Sequence, residues 1–158
     1  MITRLVSGGQ SGVDRAALDA ALELGVPCGG WCPRGRKAED GRIDDCYPLT
    51  ETPSARYSQR TRWNIRDSDG TLILSWGELT GGTLLTADEC RKVGKPHLVL
   101  DLADEDGLAE GTTTARTWVA ANVAGGVLNV AGPRASRHPA VSDRARAFVR
   151  AVLGGEEG

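Results

Sequence analysis

Twice in this chain an apolar, strand-like run ends in a glycine-rich turn that opens directly into a segment of helical period. The first instance runs from Ile2 to Ser7, through Gly8, Gly9, Gln10, Ser11 and Gly12, into Val13, Ala16, Ala17, Ala20, Ala21 and Leu24 at three- and four-residue spacing, with Gly25 as a stop. The second is TLILS, Thr71 to Ser75, followed by TGGT, Thr80 to Thr83, and a helical stretch from Gly82 to Val93 that Gly94 and Pro96 end. A stripe of small apolar residues suits a helix lying on a sheet, and a short β-rich apolar run suits a strand covered on both faces. Their alternation predicts a layered α/β domain around a parallel sheet.

The remaining elements follow the same pattern. A short strand begins near Val26, a helix spans Ala55 to Asp67, and HLVLD, His97 to Asp101, reads as a strand. A helix over Thr112 to Ala124, with Thr112 to Thr114 available for capping, leads to a last strand, Val127 to Val130, and a closing helix, Val141 to Leu153. Residues 31–54 carry five glycines or prolines and mixed charges without periodicity, which predicts a long, ligand-facing loop. With 158 residues, one Rossmann-like, doubly wound domain is expected over residues 1–154, with five main parallel strands in the order 2-1-3-4-5 and a polar tail at 155–158.

Composition excludes several classes of function. Nineteen basic against 21 acidic side chains leave a net charge of −2, so no global positive field draws nucleic acid or anionic membrane, and an anion site has to be local. The chain has no apolar run near the roughly 20 residues a membrane span needs, nor a signal-peptide pattern at its start, so a soluble cytoplasmic protein is expected. Cys28, Cys32, Cys46 and Cys90 lack the paired spacing of a zinc site and read as reduced thiols. His97 and His138 are the only histidines, and no serine or cysteine sits in a nucleophile elbow.

The glycine turns are the candidate chemistry. In a doubly wound sheet, ligands bind beyond the carboxyl ends of the strands, where both turns are expected to lie. Gly8, Gly9 and Gly12, and likewise Gly81 and Gly82, lack a Cβ, so backbone N–H donors and a helix N-terminus can approach an anion. A side chain added at Gly9 or Gly82 is expected to block that approach. Gln10, Ser11 and Thr83 add side-chain donors, and two facing helix N-termini suit a phosphate-bearing group. Arg34, Arg36 and Lys37 form a local basic cluster, fit to grip phosphate oxygens or simply to be solvated. Trp31 can stack on a heterocycle or pack against a helix. Asp14 can read a ribose or base, or serve the helix dipole alone. Arg60, Asn64 and Asp67 share one helical face.

With SGGQSGVDRAALDAA, GGWCPRGRKAEDG, YSQRTRWNIRDSDGTLIL, TGGT and the NVAGPR turn (Asn129 to Arg134) in order along nearly its whole length, the chain resembles the "putative molybdenum carrier" family. That family is similar to the cytokinin-activating phosphoribohydrolases and to the DNA-processing protein DprA. The resemblance implies a Rossmann-like protein that binds the molybdenum cofactor, a pterin with a phosphate and an oxo-metal group, through Gly8, Gly9, Gln10, Gly12, Asp14, Arg34, Gly81, Gly82 and Thr83. Molybdoenzymes are then the expected recipients, Mg²⁺ can arrive through ligand phosphate, and a homo-oligomer, dimer or tetramer, is expected. An ordinary nucleotide fits the same residues, so a nucleotide-processing enzyme and a nucleotide-signal sensor stand as alternatives. The phosphoribohydrolase pattern PGGxGTxxE places a glutamate three residues after its threonine; here that position is Thr86, and Asp88 and Glu89 lie farther along the helix. A non-catalytic carrier role is therefore the leading expectation.

Overall fold

The computed structural model describes residues 2–154; the tail expected at 155–158 lies outside them. Its main sheet has five parallel strands: β1 (Arg4–Val6), β2 (Cys28–Gly29), β7 (Gly70–Ser75), β8 (His97–Asp101) and β9 (Val127–Ala131). Helices α1 (Val13–Leu24), α2 (Tyr57–Arg66), α3 (Gly81–Val93), α4 (Leu108–Asn122) and α5 (Val141–Leu153) surround it. The expectation of a Rossmann-like α/β fold is met. Between β2 and α2 lie two small sheets rather than a structureless loop: β3 (Trp31–Cys32) pairs with β6 (Thr50–Glu51), and β4 (Lys37–Ala38) forms a hairpin with β5 (Gly41–Arg42).

Local signals place the elements closely. Helix α1 ends where Gly25 takes a left-handed φ of 68°, a conformation that a Cβ would strain. Its buried Val13, Ala16, Ala17, Ala20 and Ala21 join Leu72 and Leu74 of β7, Leu128 and Val130 of β9, and Phe148 and Val149 of α5 in the principal core. Truncating a fully buried leucine such as Leu72 to alanine is worth about 2–5 kcal/mol at a site of this kind. Helix α4 starts earlier than its threonines suggest. The Thr112 and Thr113 hydroxyls donate to the carbonyl oxygens of Leu108 and Ala109 four residues back, inside the helix, instead of capping it.

The strand order departs from expectation in one detail. The sheet runs β2-β1-β9-β7-β8, which in chain order of the five strands is 2-1-5-3-4. The last strand is inserted between the first and the third, with Asn129 beside Val6 on one side and beside Thr71 on the other. An apolar run fit for a doubly covered strand looks the same wherever it sits in the sheet, so its neighbours are not written in it. Moving β9 and α5 ahead of β1 turns this order into 3-2-1-4-5, the common doubly wound arrangement, whose point of reversal then falls between β9 and β7.

Four cysteines are free; Cys32 and Cys90 are buried, Cys28 half-buried and Cys46 exposed. Among the described residues no group of three or more potential metal-ligating side chains occurs, and no helix is long and apolar enough to cross a membrane.

Candidate functional site

Beyond the carboxyl ends of β7 and β9, at that point of reversal, lies a crevice of about 310 Å³. Ser75 and Trp76 leave β7 into it, Gly132 to Arg134 leave β9 into it, and the first turn of α3 forms one wall. Tyr57 and Arg60 of α2, Gln10 from the β1 turn and Asp14 from the first turn of α1 close the other sides.

The second glycine turn stands where an anion can reach it. Thr80 is extended and makes no side-chain cap, leaving the first amides of α3 without the usual side-chain acceptor. Gly81 has a φ of 53° and lies close to the Arg137 guanidinium, 3.8 Å from where its Cβ would be. A Cβ on Gly82 would meet nothing within 4 Å. Thr83 is buried beneath, and the Thr86 hydroxyl donates to the Gly82 carbonyl at 2.9 Å. An open amide edge at a helix N-terminus, with a guanidinium beside it, suits a phosphate.

The first turn is built differently from expectation. Its glycines make room for protein: a Cβ on Gly8 would strike Arg60, one on Gly9 would fall 2.5 Å from Leu49 Cδ1, and one on Gly12 would strike the backbone of residues 133–135. Three backbone donors of this stretch are also engaged. The Gln10 N–H donates to the Asp14 carboxylate, the Ser11 N–H to Gln10 Oε1 and the Val13 N–H to the Pro133 carbonyl. Ser11 Oγ donates to Glu39 Oε1 at 2.5 Å, and Glu39 also accepts from the Ser136 hydroxyl, tying the β1 turn to the segment after β9. Those hydrogen bonds outweigh desolvation and hold the Glu39 carboxyl below its usual range.

Gln10 of this turn and Asp14 of the first turn of α1 do line the crevice. Gln10 is 4% exposed; its Oε1 accepts two backbone N–H groups, while its Nε2 has no partner. Buried donors of this kind are ordinarily satisfied, so an orphan on a residue that lines a cavity points to a missing acceptor. Asp14 is 3% exposed, and burial pushes its carboxyl up against the opposing pull of Arg60, whose Nη2 lies 3.8 Å from Oδ2. Arg60 Nη1 donates to Thr61 Oγ1 at 2.7 Å, and its Nε is a second buried donor without a partner.

The basic cluster divides. Arg36 is 8% exposed and donates to the carbonyl oxygens of Ile43 (3.0 Å), Leu49 (3.3 Å), Asp44 (2.7 Å) and Tyr47 (2.9 Å), so it organises residues 43–49 and is not open to a ligand. Arg34 is exposed and does not line the crevice. Trp31 packs edge-on against Trp63, centroids 4.8 Å apart, and its Nε1 donates to Asp67. Asn64 pairs with the Trp31 backbone in both directions.

Residues without a prior assignment complete the site: Tyr57, Trp76, Arg134, Arg137 and His138. Trp76 stacks on His138 with centroids 5.8 Å apart. Two motifs carried a signal, the YSQRTRWNIRDSDGTLIL run that begins at Tyr57 and the NVAGPR turn that contains Arg134; Trp76, Arg137 and His138 had none, and the fold brings them to the site.

The family model for the circularly permutated YpsA SLOG family matches residues 5–153. A crystal structure of a "Putative molybdenum carrier protein" from Syntrophus aciditrophicus SB is similar to this chain, with 43% sequence identity over 96% of this chain and 95% of that one, and a TM-score of 0.91. No curated protein matches.

Proposed function

We propose, from the premise that this chain belongs to the circularly permutated YpsA SLOG family, that it binds and carries a phosphate-bearing, nucleotide-like ligand, the molybdenum cofactor above all. One observation carries the reading: Gln10, whose buried Nε2 has no partner, lines the same crevice as the uncapped N-terminus of α3. Arg60 and Arg137 add positive charge, and a crevice of about 310 Å³ is of the size that takes a small cofactor. The similar crystal structure, named for a molybdenum carrier, supports the choice of cargo. Phosphate oxygens suit the α3 amides. Any Mg²⁺ would enter on the ligand's own phosphate, and molybdoenzymes would receive the cargo.

Binding is favoured over cleavage by the surroundings of α3. At Thr86, where the phosphoribohydrolases carry a glutamate, the hydroxyl is bonded within the helix. Asp88 pairs with Arg91 and Glu89 with Arg62, and neither carboxylate lines the crevice. Native mass spectrometry with the molybdenum cofactor, AMP and ATP tests the reading. Retention of intact cofactor is expected, and release of free base from AMP would overturn it. Exposed Leu22, Leu24, Leu84, Val93 and Val99 are the apolar surface for the expected homo-oligomer, which size-exclusion chromatography would detect.

A further inference from the structure

We infer a second anion subsite at the ring of Tyr57, formed by Lys37, Arg60 and Arg134, which makes the crevice selective for ligands carrying two separated anionic groups. The inference rests on the reading of the α3 N-terminus as the first subsite. Lys37 Nζ lies 4.5 Å from the Tyr57 ring centroid, Arg134 Cζ 4.7 Å and Arg60 Cζ 5.7 Å. The three cations come from β4, from the segment after β9 and from α2, so the fold assembles them on one ring; Arg60 and Arg134 line the crevice, and Lys37, exposed and outside that lining, reaches the subsite only through the Tyr57 ring.

A phenol ring attracts a cation to each of its two faces. A third within 6 Å adds repulsion that the ring cannot offset, and a counter-charge among them removes it. The protein does not supply that counter-charge directly. Among the described residues no carboxylate lies within 4.0 Å of Lys37 or Arg134, and Arg60 faces only Asp14, at 3.8 Å, with its Nε unpartnered. Asp14 and Glu39 feel Arg134 only at longer range. Tyr57 is also the first residue of α2, which starts without a side-chain cap, so the positive end of that helix adds to the same field.

Tyr57, Arg60 and Arg134 line the crevice together with Gly81 and Arg137, which makes the two subsites continuous. A molecule with one phosphate fills one of them. A flat heterocycle with a phosphate at one end and a second oxyanion, phosphoryl or oxo-metal, at the other fills both.

Isothermal titration with AMP and with adenosine 3′,5′-bisphosphate tests this on the full chain. The bisphosphate is expected to bind at least tenfold more tightly than AMP, and Lys37→Glu to reduce that preference at least fivefold. Lys92→Glu, an equal change of charge at an exposed position late in α3, is expected to keep it. Equal affinity for the two compounds, or equal loss of preference in both variants, would overturn the second subsite. Failure of AMP to bind, with the bisphosphate still bound in a Lys37-dependent way, would instead overturn the α3 reading, and binding of neither compound would overturn both.

Discussion

The backbone N–H of Glu39 donates to Gln10 Oε1 at 2.8 Å, and because the Ser11 N–H reaches the same oxygen at 3.1 Å, the Gln10 amide has a single orientation. Its Nε2 is thereby left without a partner, on a residue that lines the crevice. Gln10→Glu keeps an acceptor for both N–H groups but replaces the donor with negative charge. Ligand affinity is expected to fall at least tenfold at neutral pH and to recover as the new carboxyl protonates, at a stability cost of about 1–3 kcal/mol for a buried charge beside Asp14. Calorimetric titration with AMP across pH checks this; a pH-independent loss would point to collapse of the turn.

The two glycine turns predict opposite phenotypes. Gly82 faces open space, so Gly82→Ala fits the helix and is expected to leave stability equal or raised by up to about 1 kcal/mol while ligand binding weakens. Gly9 has a φ of 75° and sits under Leu49 and Ile43. Gly9→Val is therefore expected to destabilise the fold by more than about 2 kcal/mol. Urea unfolding of both variants, followed by titration of the folded ones, separates the roles.

Arg36 holds four carbonyl groups and itself takes a φ of 53°. Arg36→Ala strands those acceptors and is expected to cost at least about 2 kcal/mol, and Arg36→Lys, with no planar fork, to recover only part of it. A denaturation midpoint equal to the parent's would show that water replaces the guanidinium.

Asp14 gives the fold a pH signature. Burial raises its carboxyl above the ordinary 3.8, against Arg60, so the folded chain holds this proton more tightly than the unfolded chain. The stabilising contribution is present below 3.8 and is lost as pH rises through the raised value. Glu39 and Asp40, both lowered, contribute the opposite slope, losing stability as pH falls. The difference between the parent and Asp14→Asn isolates the first effect: it should shift against the parent as pH rises from about 4. An anion bound above Asp14 raises it further, so binding should take up a proton, measurable by calorimetry in buffers of different ionisation enthalpy.

The inserted strand predicts that the fold survives rearrangement of the chain. Helix α5 starts near the carboxyl edge of the sheet, where Arg144 donates to the Leu102 carbonyl, and its 13 residues run about 20 Å, enough to return to the edge where β1 begins. Joining α5 to β1 through a flexible linker and opening the chain between α4 and β9 is expected to yield a folded, ligand-binding protein with strand order 3-2-1-4-5. Loss of cooperative unfolding in that permutant would refute the topological reading.

What the amino-acid order determined by itself is local. The alanine stripe and Gly25 delimit Val13–Leu24, while HLVLD and the closing helix Val141–Leu153 have the ends their patterns predict, because periodicity and stop residues act within a few positions of the chain. The tertiary structure decided where β9 sits and which polar groups remain unpaired. Arg36 and Arg134 are the same residue type, yet one is surrounded by carbonyl oxygens and the other lines the crevice. Whether a donor is free depends on what the rest of the chain places beside it, and that is a property of contacts between distant segments, which no local pattern contains.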